Sequence, residues 1–238
     1  MSHILSRQLS QLRSGDHLCV CYSTERQHRA LVTQFLLDGI ARHEKVCYFL
    51  HEHTLALGID YLHNDLNVGA LLRSGQLVLL EAERVYLPNG TFSPELMIDQ
   101  FWKYTQQALA EGYAALRGTG EMTWALKGHP GSERLMEYES KLADFFAHNP
   151  CVGLCQYRRT EFPSDLLCDV LLAHPTVAIG TTCYDHPYYL PPVEFLPSSA
   201  RREEMKRLWN TQGVSSAQPL PGDEAEEEID RVLTSLAN

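Results

Sequence analysis

No stretch of this chain approaches the roughly 18 consecutive apolar residues that a membrane-spanning helix needs, and its polar start lacks the apolar core of a secretory leader. A cytoplasmic protein without membrane contact is expected. Runs of Lys and Arg are scarce and the net charge is −10. Nucleic acid and anionic lipid both demand a basic face, so direct binding to either is not expected. Paired C-x-x-C spacing is also missing. The seven cysteines, Cys19, Cys21, Cys47, Cys151, Cys155, Cys168 and Cys183, are scattered through apolar segments, which reads as buried free thiols with no metal. A phosphate loop of the form G-x-x-x-x-G-K-[ST] is absent too. After the first apolar run come Tyr22-Ser-Thr-Glu-Arg-Gln-His28, with neither glycine nor lysine, and Glu25 would repel a triphosphate.

What is present is an alternation of short apolar runs and longer amphipathic ones. With 44% hydrophobic residues in 238, the chain can bury a substantial core. The continuous runs Asp16–Tyr22, Lys45–Leu50, Gln76–Ala82, Cys151–Tyr157 and Thr176–Cys183 read as strands buried on both faces. A further strand follows Tyr113 and includes Gly118-Thr-Gly-Glu-Met-Thr-Trp124. Between them, Glu25–Arg42, Thr54–Arg73, a segment opened by Ser93-Pro94-Glu95, Ser132–His148 and Pro163–Ala173 read as helices. Gly75 is the stop of the second helical stretch. The alternation predicts an α/β fold with a mostly parallel central sheet and helices on both faces.

Ligands of such sheets bind beyond the carboxyl ends of the strands, where this chain places Tyr22, His51-Glu52-His53, Glu121, Met122 and Trp124. The pocket expected there is bounded by Tyr22, His51, Glu52, Glu121, Met122 and Trp124, acids and His51 orienting a ligand against an apolar wall. Other readings stay open. Met122 and Trp124 also suit a plain core, His51 and His53 suit solvated strand ends, and Glu121 suits an ion pair with Arg84 or Arg158. Cys19 and His17, two apart on one strand, would be a nucleophile pair only if exposed.

The ordered series Gly15-Asp-His17, Val85-Tyr-Leu-Pro-Asn-Gly-Thr-Phe92, Gly120-Glu-Met-Thr-Trp-Ala125, Leu135–Glu139, and His174-Pro175 with Tyr188–Phe195 resembles the MEDS domain over about residues 14–197. That family takes its name from methanogen proteins and the dichloromethane regulator. The resemblance implies a RecA-like three-layer sandwich without a Walker A loop, in the manner of circadian-clock ATPases stripped of their phosphate loop. It also implies a role in sensing small hydrocarbon derivatives. By the same resemblance Glu52 stands where those ATPases carry a catalytic acid, and Gly118–Glu121 near their second nucleotide motif.

Residues 1–197 are expected to form the sensory domain. Residues 198–238 carry a charged helix, a Gly/Ser/Pro/Gln linker and an acidic amphipathic helix with Ile229, Val232, Leu233 and Leu236 on one stripe. No kinase, phospho-acceptor or helix-turn-helix module is evident. The expected function is therefore a non-catalytic sensor of a small organic molecule, without cofactor, signalling to a separate kinase or regulator through residues 223–236 or as a homo-oligomer. The rival readings are an enzyme using Glu52 or Glu121 as acid or base, and a ligand-free scaffold.

Overall fold

A computed structural model describes residues 6–62, 66–180 and 182–195. The strands are β1 (Ser6–Gln8), β2 (His17–Tyr22), β3 (Lys45–Leu50), β4 (Leu77–Glu81), β5 (Leu116–Glu121), β6 (Cys151–Arg158), β7 (Thr176–Ile179) and β8 (Thr182–Asp185). They form one sheet in the order β1-β8-β7-β2-β6-β5-β3-β4. The six strands from β7 to β4 in that order run parallel, while β8 and β1 are antiparallel additions at one edge. The predicted α/β sandwich is thus present. One expectation is corrected: Thr176–Cys183 is not one strand, because the chain reverses after Ile179 through Gly180, whose φ of +56° suits a tight turn. β1 was not foreseen, since three polar residues carry no apolar alternation.

The helices are α1 (Glu25–Ala41), α2 (Leu55–Leu62), α3 (Val68–Ser74), α4 (Ala82–Tyr86), α5 (Pro94–Ala110), α6 (Leu135–Ala147), α7 (Ser164–Ala173) and α8 (Pro192–Phe195). Thr24 and Gln27 close a reciprocal capping box on α1, Ser93 caps α5 ahead of Pro94, and Gly75 ends α3 in the left-handed region. Period two in the strands then sorts the core into two layers. Leu18, Val20, Tyr22, Val46, Tyr48 and Leu50 face α1, α2 and α3; Cys19, Cys21, Cys47 and Phe49 face α4, α5, α6 and α7. The glycines of β5 serve the second layer. A Cβ on Gly120 would collide with the Tyr86 hydroxyl and sit 3.5 Å from Phe49, and one on Gly118 would sit 3.1 Å from Phe101. Their absent side chains admit aromatic rings, not a ligand.

Candidate functional site

Alternation along β5 sends Thr119 and Glu121 to the α1 layer and Met122, just past the strand, to the opposite one. Glu121 ends completely buried at the carboxyl edge of the sheet, and its two oxygens accept five hydrogen bonds. Oε1 takes the Tyr48 hydroxyl at 2.6 Å and His53 Nδ1 at 2.7 Å. Oε2 takes the amides of His51, Glu52 and His53 at 2.8, 2.6 and 3.1 Å. Burial by itself would raise this carboxyl, but the bonds from His53, Tyr48 and the His51 amide prevail and hold it at about 2. Glu121 is therefore an anion that fastens the segment following β3. Its partner is His53, not Arg84 or Arg158; Arg158 lies 2.7 Å from Glu52 and stacks over Tyr22 at 5.6 Å.

His53 reaches back to α1, where its Nε2 lies 3.0 and 3.2 Å from the two oxygens of Glu25. Burial opposes its charge, yet the carboxylates of Glu121 and Glu25 on either side raise it to about 9, so the ring is cationic and both nitrogens donate. His28, one turn along α1, stacks on His53 at 4.5 Å and is driven by burial down to about 4, hence neutral. Its Nε2 lies 2.6 Å from Gln156 Oε1, an orientation fixed because the Gln156 amide donates to Thr119 Oγ1 and that hydroxyl to the Leu154 carbonyl. His28 Nδ1 is left facing the Tyr61 hydroxyl at 3.1 Å, and that same hydroxyl donates to Glu25. One phenolic proton thus stands between two acceptors.

Beside this network a cleft of about 550 Å³ opens between the ends of β3 and β4 and the first turn of α2, with Leu50, His51, His53, Leu55, Glu81 and Glu83 on its walls. His51 is oriented by Thr123 Oγ1 at 2.9 Å and faces Glu83 at 3.7 Å. Of the six residues expected to bound a pocket, His51 lines this cleft, while Tyr22, Glu52 and Glu121 gather behind it on the same layer. Met122 and Trp124 do not: both are completely buried in the other layer, Trp124 stacked on Tyr86 at 4.7 Å, as filler of the core. The histidines are not mere solvated strand ends, since His53 is buried. His28 and Tyr61 were missed, and Glu25 and Gln156, though at the expected strand ends, were not among the six residues expected to bound the pocket. A sequence signal for one existed, because His28 falls on the stripe of Leu31, Val32 and Phe35, where an imidazole has to find polar partners. The turn before α1 has no vacant phosphate cradle either: Gln27 Oε1 accepts from the amides of Ser23 and Thr24 at 3.0 and 3.1 Å.

The pattern of the MEDS family, the methanogen/methylotroph, DcmR sensory domain, matches residues 16–175, which include every residue of this network. The chain belongs to the MEDS family. As a MEDS protein it is 25% identical over 162 residues to the transcriptional repressor DcmR of Methylorubrum extorquens, an alignment covering 67% of this chain and 58% of that repressor. The chain thus spans little more than half of the curated relative's length. Among solved structures, the flagellar accessory protein FlaH from Methanocaldococcus jannaschii aligns with a TM-score of 0.46 and 16% identity, over 70% of this chain and 71% of that one. The family model describes a sensory domain. No helix among the described residues is long and apolar enough to cross a membrane.

Proposed function

We propose that this MEDS domain binds a small, hydrogen-bonding organic molecule in the strand-end cleft, without turning it over, and passes its state to a separate signalling protein. The observation that carries this reading is that the inner wall of the cleft, His51 to His53, is also the segment fastened by Glu121. A ligand touching either imidazole acts on β5 through Glu121 and on α1 and α2 through Glu25 and Tyr61. His51 and His53 meet the ligand, Tyr22, Glu52 and Glu121 hold them from behind, and Met122 and Trp124 support the opposite layer. The acid-base alternative is disfavoured, because a carboxylate with five donors and a pKa near 2 makes a poor base at neutral pH, and Glu52 is paired with Arg158. The output partner is a kinase or regulator contacted through residues 223–236, which lie outside the described residues, as does all of the segment after 195.

A ligand of three heavy atoms gains at most about 4.5 kcal/mol, roughly millimolar binding, so a useful sensor takes a larger molecule or one with a charged or hydrogen-bonding anchor. The test follows imidazole resonances by NMR while short-chain alcohols, amines, carboxylates and halogenated methanes are added in turn. One class is expected to shift His51 and His53 saturably, leave the exposed His148 alone, and be recovered unchanged. Glu121→Gln, folded by circular dichroism, should weaken that binding at least tenfold. If no class moves the two rings, or if the variant binds like the parent, the cleft is not the sensory site.

A further inference from the structure

On the other side of the sheet the structure carries a second polar cluster that the sensory reading does not use. His17 starts β2, Cys155 lies within β6, Glu139 projects from α6, and His174 follows α7. All four are buried, three of them completely. One donor atom from each of the four lies within 4.8 Å of the donor atoms of the other three. We propose that these four residues form a closed, tetrahedral transition-metal site whose resident ion is zinc.

The imidazole–carboxylate separations are longer than a hydrogen bond and match a coordination shell, while those to sulfur fit either arrangement. His17 Nε2 and His174 Nε2 lie 3.5 and 3.3 Å from Glu139 Oε2, and Cys155 Sγ lies 3.5 Å from His17 Nε2 and 3.3 Å from Glu139 Oε2. Charge-assisted N–H···O bonds between imidazole and carboxylate settle at about 2.7–2.9 Å. Zinc bonds of about 2.0–2.3 Å at tetrahedral angles put neighbouring donors about 3.3–3.7 Å apart. The strand-end network supplies the contrast within the same molecule, since His53 stands 2.7 Å from Glu121 there.

Proton placement agrees. His174 Nδ1 is 2.7 Å from the Val170 carbonyl and must be its donor, which leaves the lone pair on Nε2. That lone pair has no hydrogen-bond partner among the described residues, although it points into the cluster from a completely buried ring. Tyr157 donates to the other oxygen of Glu139, an outer bond of the kind that orients a ligating carboxylate. Two imidazoles, one thiolate and one carboxylate are a borderline-soft set that suits zinc, and four protein donors leave no position for substrate, so the ion is structural. Cysteine spacing could not disclose it, because the donors come from residues 17, 139, 155 and 174 and only one is a cysteine.

The full chain, produced without a histidine tag, should contain about one zinc per molecule by plasma mass spectrometry. When it is denatured, stripped and refolded with Co(II), it should show the intense visible bands of a tetrahedral site and near-ultraviolet thiolate charge transfer. Cys155→Ser should abolish the charge transfer and His174→Gln should weaken retention at least tenfold, while Cys47→Ser changes neither. Should either site variant fail to fold, the parent's stoichiometry and cobalt spectrum still decide. Refolded parent protein that takes up no Co(II), or spectra that survive Cys155→Ser or vanish in His28→Ala, overturn the proposal.

Discussion

His53 is the residue on which the strand-end network turns, because it is the cation between two carboxylates drawn from different elements. Its elevated pKa has a definite consequence for stability. Between the unfolded value near 6.5 and about 9, the folded chain keeps a proton that the unfolded chain has released, so stability falls as pH rises through that window. The contribution is complete below about 6.5 and gone above about 9, on the order of 2 kcal/mol after allowance for the exposed side of Glu25. Urea unfolding at pH 6.5 and 8.0, below the range where the buried thiols begin to contribute, should show a loss larger in the parent than in His53→Gln by up to about 2 kcal/mol. Glu121 has the opposite sign, its contribution being present above about 4.5 and lost as pH falls toward 2. Tyr61 adds a different property. Its one proton cannot satisfy Glu25 and His28 Nδ1 together, so an acceptor is always left over for a ligand donor or a further proton.

At the scale of elements, two junctions are specified by small features. The turn from β2 into α1 stands where a phosphate loop would, but its first amides are occupied by Gln27 and its mouth carries Glu25. ATP and GTP are expected to bind no tighter than millimolar, and calorimetry giving micromolar, magnesium-dependent affinity would refute this. The second junction is the packing of α4 onto β5 at Gly120. Gly120→Ala should cost about 2 kcal/mol from the clash with the Tyr86 hydroxyl. Tyr86→Phe in the same chain should return part of that loss, and a double-mutant cycle by denaturant unfolding reads the coupling directly.

For the whole molecule, the sheet is covered on both faces by helices belonging to the described residues, and each face has its own buried layer. Residues 223–238 lie outside the described residues. Deleting them is expected to leave the melting temperature within about 2 °C while reducing association with the output partner, since a lone helix of about fifteen residues needs a surface to pack on. Calorimetry of the shortened chain against the parent checks the first part, and a fall of ten degrees or more would place those residues in the core.

The chain's own pattern determined the α/β sandwich, because strands buried on both faces must be continuously apolar and the helices between them must each show one stripe; Lys45–Leu50 and Glu25–Ala41 were legible on that ground. The edge strand β1 and its neighbour β8 were not, since short polar strands near the rim of a sheet have no such constraint. Sequence placed His51, Glu52 and Glu121 together at the strand ends, because parallel strands bring their carboxyl ends to one side. Which layer each side chain enters was decided only in three dimensions, by the register of β5 and the turn after it, which sent Glu121 beneath α1 and drew Met122 and Trp124 into the opposite core. The same holds for both polar clusters. Their members are far apart in sequence, and only the folded sheet makes neighbours of His28 and Gln156, or of His17 and Cys155.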